Sequence, residues 1–189
     1  MGRREQVLDA AIEVLGADGP RGLTHRAVDA AAGVPAGTTS NHFRSRAALV
    51  DGIVARLAAL DRHDWEAMAP QPGPDPRPNG VDQLAAALAE YVRYAAGPAR
   101  TRTAARYGLF LEAASARPEL REPLARGREA IVGWGTEWIR QLGSPEPELH
   151  CRMVLDYVEG LVLHQMAFPD PGFDPVPGLR AILTAIRPG

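Results

Sequence analysis

GLTHRAVDAAAGVPAGTTSNHFRSRAAL, residues 22–49, is the stretch whose reading decides the fold. Thr24 stands where its hydroxyl can accept a free backbone N–H of the next turn, which marks a helix start. Leu23 before it and Val28 four positions after it stand where a hydrophobic staple belongs. The pattern predicts a helix from about His25 to Ala31. Gly33 can take the left-handed conformation that ends a helix, and Pro35 suits the first turn of the next, where its missing N–H would be unpaired anyway. A short third helix follows, from about Ala36 to His42, and Val28, Val34 and Phe43 supply a small core. Two short helices joined by a tight glycine turn are the pattern of a helix-turn-helix. Thr38, Thr39, Ser40, Asn41 and His42 are uniformly polar and uncharged, whereas a solvated helix more often carries Glu and Arg pairs.

Outward from this unit the chain reads as helix throughout. Leu8, Ala11, Ile12 and Leu15 recur at helical spacing, and Gly16, Gly19, Pro20 and Gly22 stop the pattern after about three turns. Downstream, Leu49, Val50, Ile53, Leu57 and Leu60 predict a connecting helix over 47–68. Residues 69–80, APQPGPDPRPNG, alternate with proline and read as a mobile loop. Further helices are expected at about 81–96, 99–115, 119–142, 146–168 and 176–187, and no period-2 strand pattern or internal repeat appears. The fold class is therefore all-α: a three-helix unit with the helix-turn-helix pattern over 1–46, then a larger helical domain over 47–189.

The spacing Thr24, Val28, Ala32-Gly33-Val34, Gly37-Thr38, Phe43, Arg46 and Leu49 resembles that of the TetR family of bacterial transcriptional regulators over about the first fifty residues. The rest of the chain is similar only in length and helical content. The resemblance implies three DNA-binding helices, a ligand-binding helical domain, and a homodimer built on the last two long helices. Some positions depart from the family's pattern. Pro35 replaces a Ser or Thr cap, Thr39-Ser40 replaces Leu-Tyr and so removes a phosphate contact, and Asp29 replaces a small residue. Asp29 is expected to pair with Arg26 or Arg46 and hold the unit together.

Local charge agrees with an anion-binding segment. The net charge is −2, all 21 basic residues are arginine, and residues 21–46 carry Arg21, Arg26, Arg44 and Arg46 against Asp29 alone. Asn offers donor and acceptor together, matching the adenine edge, so Thr38 and Asn41 are the expected base readers. Thr24, His42, Arg44 and Arg46 are expected on phosphates. The whole expected surface toward an operator in double-stranded DNA comprises Thr24, Arg26, Pro35, Ala36, Gly37, Thr38, Ser40, Asn41, His42, Arg44 and Arg46.

Enzyme classes fare poorly. Without lysine there is no Walker-A lysine, no Schiff base and no Ser-Lys dyad. The five histidines complete no metal-binding spacing, no serine lies in G-x-S-x-G, and no metal or cofactor is expected. The lone Cys151 and an N-terminus without an apolar run place the chain in the cytoplasm, and the longest uncharged apolar run, 160–168, is too short for a membrane.

Tyr and Trp carry polar handles that a purely structural core would avoid. Tyr91, Tyr94, Tyr107, Phe110, Trp134, Trp138 and Tyr157 are therefore expected to line a cavity for a small lipophilic effector, with Arg106, Glu112, His164 and Gln165 as orienting groups. The segment 146–168 is apolar on two sides, and Val158, Val162 and Met166 are expected to meet a second subunit. A central core helix explains the same pattern. The reading is a homodimeric, ligand-released repressor. Its runner-up is the same fold responding to a protein or acting constitutively, and a helical-bundle enzyme comes last.

Overall fold

The computed structural model describes residues 2–69 and 80–187, and among them helix is the only regular structure. In chain order the helices are α1 (Arg3–Gly22), α2 (His25–Ala31), α3 (Thr38–His42), α4 (Arg46–Met68), α5 (Gly80–Ala96), α6 (Arg100–Ser115), α7 (Arg121–Gln141), α8 (Pro147–Ala167) and α9 (Val176–Ala185). A single 3₁₀ turn, Pro118–Leu120, precedes α7. Apart from its two end residues, the expected loop at 69–80 lies outside the described residues.

α1 runs well past the three turns that its glycines suggest. The backbone leaves the helix only at Gly19, where φ is +69°, with Pro20 beside it. Gly16 is no stop signal. It lets α6 approach, because a Cβ there would stand 2.1 Å from the Thr101 carbonyl oxygen. α1 accordingly packs along α6.

The chain forms two compact units, Met1–Asp61 with Ala99–Arg128, and Arg62–Pro98 with Glu129–Gly189. In the first, Leu8, Ile12 and Leu15 of α1 are buried with Val28 of α2, Phe43, Ile53 of α4 and Leu109 of α6. Burying each such large side chain stabilises the fold by about 1.5–3 kcal/mol. These units are set by packing. The expected division at 46/47 is a functional one, between DNA binding and effector binding.

In the second unit α5 packs against α8 and α9. Cys151, Val154, Val158 and Val162 form the buried face of α8. The sequence reading gave Val158 and Val162 to a second subunit, but the protomer itself covers them, leaving each under 5% exposed. Met166 is half-buried. The apolar residues left outward on α8 are Leu149, Met153, Tyr157 and Leu163. A helix repeat of 3.6 residues puts those four on the side opposite the valines.

Candidate nucleic-acid interface and aromatic cluster

α2 starts as its sequence dictates. The Thr24 hydroxyl accepts from the Ala27 N–H at 3.1 Å, while Leu23 and Val28 are buried beneath. Gly33 has φ +62° and ends the helix. α3 then begins at Thr38, two residues later than expected, because Gly37 sits at φ +92° and takes the backbone out of helical geometry. Pro35 and Ala36 thus lie in the turn ahead of the helix, both exposed.

Asp29 governs this turn. Its carboxylate accepts from the Gly37 N–H at 2.7 Å, the Thr39 N–H at 2.7 Å and the Thr39 hydroxyl at 2.5 Å. The expected pairing with Arg26 or Arg46 does not form. Asp29 is 4% exposed and Thr39 fully buried, so the pair works as an internal cap fixing α3 against α2. Burial pushes the Asp29 carboxyl up, but the Thr39 hydroxyl, the Thr39 and Gly37 amides and the nearby His25 together hold it below the ordinary 3.8. Thr39, where the resemblance leads one to expect Leu, thus forms one half of this lock rather than leaving a gap.

With Thr39 turned inward, α3 presents Ser40, Asn41 and His42 to the outside, and Thr38 is half-buried. The Thr38 hydroxyl donates to the Pro35 carbonyl at 2.6 Å and Ser40 to the Gly37 carbonyl at 2.9 Å. Asn41 keeps both amide functions available for a base edge. Thr24, Arg26 and Arg44 are exposed on the same unit, and the His42 ring lies 6.4 Å from that of Phe43. The structure thus brings the candidate DNA residues onto one helix pair and its flanking turns.

Arg46 is the exception. Its guanidinium donates to the carbonyls of Leu23 and Pro20, each at 2.6 Å, and lies 3.8 Å from the Glu112 carboxylate. The sequence reading put it on phosphates. Geometry makes it a clamp instead, because the carbonyls at the broken end of α1 need donors that the helix no longer supplies.

The candidate effector residues divide. Tyr91, Trp134 and Trp138 gather around Trp65, a residue of α4 that the sequence reading did not single out, with ring centroids 6.5, 6.1 and 5.9 Å away. Tyr107 and Phe110 pair with each other at 6.0 Å on α6 in the first unit. Tyr94 is half-buried on α5, and the Tyr157 hydroxyl lies where a Cβ on Gly178 would stand. The expected orienting groups are engaged elsewhere. Arg106 pairs with the buried Asp61, Glu112 faces Arg46 and Arg117, and Gln165 brackets the backbone of Asp170. His164 is exposed beside Phe168. Trp65 could have been found from its place in the apolar register of α4. Its function as the hub needs residues from α5 and α7 that no local pattern reveals.

Comparison with known proteins decides what this helix pair is. Residues 7–53 match the family described as bacterial regulatory proteins, tetR family. Residues 79–189, more than half of the chain, match the tetracyclin repressor-like C-terminal domain. The chain belongs to the TetR family. TetR regulators bind DNA through the helix-turn-helix and are not enzymes. A TetR-family member from Streptomyces coelicolor A3 is similar over 100% of both chains, at 28% identity and TM-score 0.74. The multidrug binding protein EbrR complexed with ethidium matches over 100% of both chains at 28% identity and TM-score 0.71. A transcriptional regulator from Rhodococcus sp. Rha1 shares the fold at 22% identity and TM-score 0.76, over 98% of this chain and 96% of its own. No curated protein matches. Among the described residues of this TetR chain no helix is long and apolar enough to cross a membrane.

Proposed function

We propose that this TetR-family protein is a repressor that binds a palindromic operator as a homodimer and is released by a small lipophilic effector in the second domain. The observation that carries the DNA part is the Asp29 lock on α3, which fixes an outward face of Ser40, Asn41 and His42. Within that face Asn41 reads a base and Thr38 supports it, while Thr24, Arg26, His42 and Arg44 set position on the phosphates. Dimerisation fits the outward face of α8, where Leu149, Met153, Tyr157 and Leu163 are exposed. Two DNA-binding heads must then meet successive major grooves about 34–36 Å apart. An operator on bacterial DNA places the protein in the cytoplasm.

The effector part is supported by the aromatic cluster around Trp65 and by the likeness to EbrR, a multidrug binding protein complexed with ethidium and with proflavin. Selection of fragments bound by the purified protein from its source genome gives the operator. Aromatic dyes are then titrated into that complex. Enrichment of one palindrome, released by at least one dye, is the expected result. Unselective binding overturns the DNA reading, and an operator complex that no aromatic compound weakens favours a constitutive or protein-responsive regulator.

A further inference from the structure

Trp65 has an indole N–H with nowhere to go. The side chain is 6% exposed, and among the described residues its Nε1 is buried without a hydrogen-bond partner. Indole is a donor only, so no change of protonation or tautomer relieves the orphan. The Tyr91 and Trp138 rings stand nearly perpendicular to that of Trp65, at interplanar angles of 78° and 90°, and Trp134 lies at 30° to it. An aromatic face is a weak acceptor beside a lone pair, and a buried donor left without one carries a desolvation cost that packing alone does not offset.

We infer that Trp65 Nε1 is the orienting donor of the effector site, and that the effector is a flat, uncharged aromatic compound carrying a lone-pair acceptor. This rests on the reading of the second domain as effector-binding. The rings supply apolar and π contact for a flat frame, which any aromatic could use. The N–H selects among them. It favours a ring nitrogen or carbonyl, and its positive end opposes a fixed cation placed beside it. Sites built around a single donor discriminate strongly, since an analogue without the acceptor leaves that donor unpaired.

Naphthalene, quinoline and N-methylquinolinium share a shape and differ only at this point. At about pH 8 quinoline is neutral with a free lone pair, naphthalene has none, and N-methylquinolinium has a fixed charge instead. Their affinities for the intact protein are measured by calorimetry, alone and with operator. Quinoline is expected to bind about tenfold tighter than naphthalene, and N-methylquinolinium weakest. Trp65→Phe keeps a ring and removes the N–H, so quinoline and naphthalene should then bind equally, with naphthalene little changed. Equal binding of the two by the wild type, or N-methylquinolinium binding tightest, overturns the inference, as does failure of all three to bind. Release of operator by other aromatic compounds would in each of those cases leave the effector reading standing. If Trp65→Phe fails to fold, the wild-type ranking decides the matter: quinoline tightest and N-methylquinolinium weakest supports the donor, and any other order overturns it.

Discussion

Asp29 concentrates three hydrogen bonds on one carboxylate, and the consequence is measurable. Asp29→Ala leaves the Gly37 and Thr39 donors unpaired and should cost about 1–3 kcal/mol of stability, read by chemical denaturation, with a larger loss of operator affinity because α3 is no longer fixed. The acid dependence follows from the sign of its shift. A carboxyl held below 3.8 is bound by the fold in its ionised form, so its stabilisation is complete above that value and is lost as the pH falls through the lower folded value. The stability gap between wild type and Asp29→Asn should be flat from neutrality to about pH 5 and close below it. A gap unchanged in acid would show that the charge contributes nothing. Asn41 bears on specificity instead. Asn41→Ala should cost about 1–3 kcal/mol at one base pair per half-site, visible as lost preference in a panel of operator variants. Unchanged preference would remove Asn41 from base reading.

Between helices, small residues and one arginine set the packing. Gly16→Ala places a methyl against the Thr101 carbonyl and must move α6 off α1, at a cost of about 1–3 kcal/mol. Gly133, in the middle of α7, faces open space where a Cβ would stand, so Gly133→Ala should stabilise by about 0.5–1 kcal/mol. Thermal denaturation of the two variants reads both effects, and a neutral Gly16→Ala would mean that the α1–α6 contact is looser than the distance indicates. Arg46 binds the broken end of α1 to the start of α4. Arg46→Ala should therefore lower stability by roughly 2 kcal/mol while leaving the salt slope of DNA binding unchanged. A slope lowered by about 1 without loss of stability would return Arg46 to the phosphates.

For the assembled protein, the two faces of α8 make opposite predictions. Leu163→Arg, on a residue 52% exposed, should give a folded monomer by sedimentation, whereas Val162→Arg, at 3% exposed, buries an unpaired charge and should unfold the protomer. A dimer that survives Leu163→Arg, Met153→Arg and Tyr157→Arg would move the interface away from α8. α4 runs without a break from the DNA-binding unit into the second unit, and it gives any effector a covalent path to the operator. Such coupling is about 1–3 kcal/mol and reciprocal, so operator should weaken an effector by the factor by which the effector weakens operator.

The helices themselves were legible in the amino-acid order. Caps, glycines, prolines and apolar spacing are local signals, and α2, α4, α5 and α8 fall within a residue or two of where those signals place them. The family was legible too, since its signature is a run of consecutive residues. Partners were not. Asp29 with Thr39, Arg46 with the carbonyls of Pro20 and Leu23, Gly16 with Thr101, and Trp65 with Trp134 and Trp138 join positions 10 to 85 residues apart. The two apolar faces of α8 could not be told apart by periodicity either. Hydrophobic spacing says only that a face is apolar, and the packing of α5 and α9 says which face the protomer covers itself and which it leaves exposed.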